Sequence, residues 1–314
     1  MRLRFTIRDL LWLTAVTALV LVIGTSTVLA EDVPRLTFPT KRFGGVQIMS
    51  IGIDGSNPVQ VTHESDEATQ PRWSPEGSNL AYLLGPRQQG KIKICDPDGG
   101  NAHLLLDGEG PQRCPCWSPD GKRIAFTMQA AATNLDHIFV VNADGTDLKN
   151  LTPSLGYAAS PAWSPDGTKI ACSSGRPSGH VGLFLMNADG TNLVDLAAKD
   201  MGGWVYPCWS HDGKQIAYGF AEGNEKCQLR QINIDGTGDA PLVEGSESHT
   251  FAAWSPDGRY LAYVSGPVSD TANLSLYDVL TGDRRVALRA AVFERPYRDG
   301  PPSWVPLRPQ ATEH

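Results

Sequence analysis

The residues in this 314-residue chain that could do chemistry are seven histidines, six cysteines, and a series of Asp-rich and Ser-Pro-Asp-Gly turns. A serine hydrolase would need its nucleophile on a tight G-x-S-x-G elbow, and the sequence has none. No two histidines stand in an H-x-x-x-H or H-E-x-x-H pair, so a zinc ion would need ligands converging from distant segments. His63, His180 and His249 are the candidates for such convergence. Asp96-Pro-Asp98-Gly-Gly-Asn101 places oxygen ligands at alternating positions, as a calcium loop would. Position twelve of that loop is Asp107 rather than the bidentate Glu that the loop geometry calls for, so these aspartates read as turn residues. The site expectations therefore include no catalytic residue, metal or cofactor.

Six cysteines would make three disulfides by count alone. Their placement argues otherwise. Cys116 and Cys208 each precede a tryptophan in equivalent segments two repeats apart, Cys95 and Cys227 belong to similar strands far apart in the repeat order, and Cys114 shares a strand face with Cys116. Bridging needs Cα atoms about 4.4–6.8 Å apart, so mostly free, buried thiols are expected.

The elements that position these residues come from an internal repeat. Trp73-Ser-Pro-Glu-Gly77 recurs as WSPDG at 117–121, 163–167 and 254–258, as WSHDG at 209–213, and in reduced form at Trp304. An Asp-Gly pair keeps step at 54, 98, 144, 189 and 235. A period of about 45 residues containing four short strands is the unit of a β-propeller. In the third repeat the pattern predicts strands a (160–164), b (169–174), c (181–187) and d (193–196). Pro presets φ in the Ser-Pro-Asp-Gly turn and Gly takes the left-handed position after it, while Asp-Gly is expected to supply the positive φ of a tight c–d hairpin.

Residues 35–62 read as strands b, c and d without an a, and residues 301–306 as a strand a with nothing after it. Joined, they make a sixth, composite blade that removes the open sheet edges of an unclosed ring. The predicted fold is therefore all-β, a six-bladed β-propeller over 35–306, with a tail at 307–314.

Residues 1–30 stand apart. Arg2, Arg4 and Arg8 precede an uncharged apolar run from Leu10 to Ala30, which predicts an N-terminal hydrophobic helix serving as a signal peptide or a membrane anchor. Either alternative places the rest outside the cytoplasm, in the periplasm or an equivalent space. Without those residues the chain is more acidic than its overall net charge of −7. No basic patch is present, which disfavours nucleic acid as a partner.

The WSPDG turns, Ile124-Ala-Phe126, the Ile138 to Gly145 run and Leu151-Thr152 resemble the TolB-like propeller repeat. The resemblance implies a six-bladed propeller outside the bacterial cytoplasm that holds other proteins. TolB itself carries a separate α/β domain before its propeller, and only Glu31 to Pro34 separate the apolar segment from the first strand here. A protein partner, a monomeric chain and a non-catalytic role are the expectation. The alternative is a metal-dependent polysaccharide lyase or hydrolase built on the convergent histidines, as propeller lyases are.

Binding in such a ring is expected at the channel mouth where strands a begin. Five residues before each tryptophan stand Ala68, Gln112, Ala158, Trp204, His249 and Asp299. Glu67, Arg113, Tyr157, Tyr206, Phe251 and Arg298 are close in sequence. These positions vary between repeats while the turns do not, and varied positions on a fixed scaffold are where specificity is stored. The binding candidates are Glu67, Arg113, Tyr157, Trp204, Tyr206, His249, Phe251 and Arg298, with the aromatics Tyr157, Trp204 and Tyr206 as the first choice for a contact surface.

Overall fold

The structure, a computed structural model, describes residues 33–41, 45–86, 88–108, 110–197, 205–221, 227–245, 247–266, 272–293 and 300–306. The expected leader (1–30) and tail (307–314) lie outside the described residues. Six four-stranded sheets are present, each ordered a-b-c-d from first to last strand. All of their strand pairs are antiparallel. In the third blade strands b (Lys169–Gly175) and c (Val181–Asn187) match the expected ranges closely. Strand a (Ala158–Trp163) starts two residues early, and strand d (Val194–Asp195) is cut to two residues. Two-residue outer strands give another chain little edge to pair with; blade five differs, its strand d running over Arg284–Phe293.

Strands a of the other continuous blades are Ala68–Trp73 (blade one), Gln112–Trp117 (two), Cys208–Trp209 (four) and Ser248–Trp254 (five). The sixth blade is composite, as the repeat arithmetic requires. Its strand a, Ser303–Trp304, pairs with strand b, Arg35–Thr40, through Leu36↔Trp304 and Thr37↔Ser303. Strands c (Gln47–Gly52) and d (Val59–Gln60) follow.

Each Ser-Pro-Asp-Gly turn closes through the Gly N–H donating to the Ser carbonyl, at 2.9–3.0 Å. The glycines take φ between 68° and 73°, as the left-handed position demands. The Ser hydroxyl donates to the Asp carboxylate and in turn accepts the N–H five residues on, for example Ser164 with Asp166 and Lys169. The c–d turn differs from expectation. Only the Gly of Asp-Gly has positive φ, and the second left-handed residue comes later, at Asn57, Asn101, Asp147 and Asn192, with Gly238 in blade four. The connection is thus a wider turn with two separate left-handed positions rather than a two-residue hairpin.

The core lies between neighbouring blades. Leu36, Phe38, Met49 and Ile51 of blade six pack with Phe251, Val264, Leu274 and Leu276 of blade five. Burying each such side chain contributes about 1.5–3 kcal/mol, and every blade shares this contact with both neighbours. A ring held this way presents a fixed inner wall of six strands a to the channel.

Candidate functional site

The channel wall has a layered order set by distance from each tryptophan. Three residues before it, Gln70, Cys114, Ser160 and Phe251 adopt φ of 53–55°. A register shift in strand a spans the same point in blades one, two, three and five. A non-glycine residue in this region costs of order 1 kcal/mol or more, and a bulge re-aims the side chains around it. The re-aimed layer forms a neck of about 20 Å³ lined by Gln70, Arg72, Cys114, Ser160, Tyr206 and Pro301.

Beyond the neck, at the end where strands a finish, the channel widens into a funnel of about 340 Å³. Its walls are the tryptophans and prolines of the turns, and the residues immediately before the tryptophans face it: Arg72, Cys116, Ala162, Cys208, Ala253 and Ser303. This position also sets how blades are joined. Trp117, Trp209 and Trp304 donate their indole N–H to the carbonyls of Arg72, Ala162 and Ala253, at 2.8–3.1 Å. Where the position is Cys116 or Ser303, the side chain instead accepts the next tryptophan's backbone N–H, from Trp163 at 3.4 Å and Trp73 at 3.3 Å.

The thiols follow from the same geometry. None of the six cysteines is in a disulfide. Cys114 and Cys116 both reach blade three, Cys114 Sγ lying 3.9 Å from the Ser160 hydroxyl and Cys116 Sγ accepting from Trp163, with the strand's register shift between them. Burial pushes Cys116 up and Cys208 up to about 11, which keeps both protonated and unreactive at neutral pH.

The eight sequence-selected residues do not form one ring. Trp204 and Arg298, like Asp299, lie outside the described residues. Glu67 is exposed and Tyr157 half-buried, both at the end where strands a begin. The layer expected at the open rim is closed instead: Ala68, Gln112 and Ala158 are 0% exposed and His249 is 6% exposed. These side chains point between blades rather than into the channel mouth, because the blades already touch at that depth. Arg113 is buried against Asp136 in an ion pair. Tyr206 and Phe251 are two residues deeper, with ring centroids 4.6 Å apart inside the core shared by blades five and six. Sequence patterning points to neither the neck bulge nor the funnel. Both are hidden because the bulged residues share no residue type.

His63 and His180 are exposed, whereas His249 is buried with its ring edge-on to Tyr263 at 5.5 Å. Burial, reinforced by the Arg284 charge, pulls His249 down from its ordinary value. Among the described residues no three His, Cys, Asp or Glu side chains gather as a metal's ligands would. The calcium-like aspartates are occupied by their own turns: Asp98 accepts from Gly100 N, and Asp96 accepts from Asn101.

Against known proteins, TolB from Acinetobacter baumannii superposes with a TM-score of 0.69 at 19% identity, over 87% of this chain and 67% of that one. An oligogalacturonate lyase from Vibrio parahaemolyticus superposes at 0.57 with 14% identity, over 81% and 74%. Both likenesses are of fold. In sequence, the Tol-Pal system protein TolB of Dechloromonas aromatica is 41% identical over 49 residues, 16% of this chain and 12% of that protein. The chain spans 11% to 34% of the length of the first curated relatives that it matches. The TolB β-propeller domain model, PD40, matches residues 35–308, so with its six radial sheets the chain belongs to the TolB β-propeller family.

Proposed function

We propose that this chain is a non-catalytic scaffold that holds a protein partner at the channel mouth where strands a begin, and that it does so as a monomer outside the cytoplasm. The observation that carries the reading is the division of labour within each repeat. Turn residues are constant and occupied with each other, while the residues around the start of strand a change from blade to blade. A rigid ring with a varied rim presents a preorganised surface, which lowers the ordering cost of association.

The contact residues proposed are Glu67, Arg113, Tyr157, Trp204, Tyr206, His249, Phe251 and Arg298. Glu67 and Tyr157 would touch the partner directly, and buried Arg113, His249, Tyr206 and Phe251 would hold the rim in shape. A relative named for the Tol-Pal system supports a protein partner. Arg2, Arg4 and Arg8 before the apolar run support export or anchoring.

A photo-crosslinking side chain placed at position 67 or 157, in cells producing the full chain, is expected to yield a discrete protein adduct. The same side chain at the outer-edge position 194 should not. No adduct at either rim position, or equal adducts at all three, would overturn the reading.

A further inference from the structure

Arg72 is the one Lys, Arg, Asp or Glu among the described residues lining both the neck and the funnel. Its Nη1 donates to two backbone carbonyls, Pro71 O at 2.7 Å and Pro301 O at 3.0 Å. Nε and Nη2 have no protein acceptor among the described residues. Among the described residues, the ionisable groups with the largest influence on it after burial are Cys116, Cys208, Cys114 and Tyr206. Burial keeps Cys116 and Cys208 protonated, so neither supplies a counter-charge, while a guanidinium stays charged at any ordinary pH. An enclosed cation is normally paired; this one is aimed at a cavity.

The cavity's shape and lining narrow the choice of anion. Its walls carry Pro161, Pro207, Pro302 and indole rings beside Ser164, Ser210 and Ser255, a partly apolar surround in which a charge pair is stronger than in water. A neck of about 20 Å³ holds roughly one water, so a ligand enters from the funnel and stops at Arg72. The funnel's 340 Å³ lies at the small end of ligand pockets, about 300–1,000 Å³. One guanidinium edge with two free N–H directions matches a planar monoanion.

We infer that Arg72 at the base of the funnel is a carboxylate-binding site, taking a carboxylate with an apolar body. The carboxylate belongs either to a free small acid or to the C-terminus of a peptide. The site lies at the opposite end of the channel from the proposed partner face and does not rest on that reading.

The test is titration of the purified chain, followed by the fluorescence of the funnel tryptophans, with phenylacetate, phenylacetamide, inorganic phosphate, and Ala-Ala-Phe with a free or an amidated C-terminus. Phenylacetate should bind saturably, and both amides at least tenfold more weakly. Free-acid Ala-Ala-Phe binding tighter than phenylacetate assigns the site to a peptide terminus, and the reverse order assigns it to a free acid. Arg72→Gln should weaken carboxylate binding about tenfold to a hundredfold, the scale of a lost charge-assisted hydrogen bond. Arg72→Lys, which keeps the charge, should restore most of it. Because Arg72 also ties blade one to Pro301, the acid-against-amide comparison on the unmodified chain decides the matter even where Arg72→Gln does not fold. Equal binding of acid and amide, phosphate binding tighter than either carboxylate, or no saturable response would each overturn the assignment.

Discussion

At the scale of single residues, the same residue type serves different demands in different blades. Gly55 and Gly99 both end an Asp-Gly pair and both have φ of +85°. A Cβ on Gly55 would meet nothing within 4 Å, but on Gly99 it would lie 1.9 Å from the carbonyl oxygen of Val61, in the neighbouring blade. Gly145 and Gly190 make the corresponding approach to Leu105 O and Leu151 O. The two alanine variants therefore separate conformation from contact. Gly55→Ala should cost about 1 kcal/mol, the backbone penalty alone. Gly99→Ala should cost about 2–3 kcal/mol more because a backbone carbonyl must shift, read as the difference in urea midpoints. Equal costs would show that the blade joint tolerates movement there. The left-handed requirement is legible in the Asp-Gly pairs; the close approach is not, since it depends on which carbonyl the adjacent blade supplies. Tyr206 shows the reverse case. Its aromatic type suggests a contact surface, and its side chain is in the inter-blade core, so Tyr206→Ala would test packing as much as recognition.

At the scale of elements, the a–b turn carries a carboxylate that stabilises the fold in only one protonation state. The Ser118, Ser164 and Ser210 hydroxyls, with a backbone N–H in each turn, hold Asp120, Asp166 and Asp212 below the usual carboxylate range. A carboxylate depressed in the folded state contributes stability that is present above its unfolded value, about pH 3.9, and is lost as pH falls through the folded value. The groups are close to solvent, so each contribution is small. Replacing all three by Asn should open a gap in denaturant midpoint from the unmodified chain at pH 7, and the gap should shrink as pH falls below the unfolded carboxylate value of about 3.9. A gap independent of pH would mean that the Asp charge does not matter to the turn. Turns of this kind explain why the architecture is readable from sequence: Pro, Gly and Asp are demanded by φ and hydrogen bonding at fixed places. The bulge in strand a carries no such mark. Gln70, Cys114, Ser160 and Phe251 share a backbone conformation but no chemistry, because ring closure and blade contacts impose it rather than any local preference. Residue spacing alone accordingly puts the rim one layer too deep, at Ala68, Gln112 and Ala158.

At the scale of the whole molecule, stability depends on a closure made by very few residues. Ser303–Trp304 is the entire strand a of blade six, yet four links meet there. Trp304 pairs with Leu36 and donates its indole N–H to Ala253 O of blade five at 2.8 Å. Ser303 Oγ accepts from Trp73 N of blade one, and Pro301 O accepts from Arg72. The N-terminal strands thus join blade five both through their shared core and through a segment far along the chain. Deleting residues 300–314 would remove all four links and uncover Leu36 and Phe38, both fully buried. The five continuous blades keep their local hairpins, so loss of closure should not abolish β-structure. It should split one cooperative unfolding transition into a broader one, with the N-terminal strands released first. Hydrogen exchange on the truncated chain should show residues 35–60 losing protection while strands b and c of blade three stay protected. Restoring Pro301 to Val305 as a separate peptide should narrow the transition again. An unchanged melting transition, or uniform loss of protection, would refute closure by the chain ends and leave inter-blade packing alone to hold the ring.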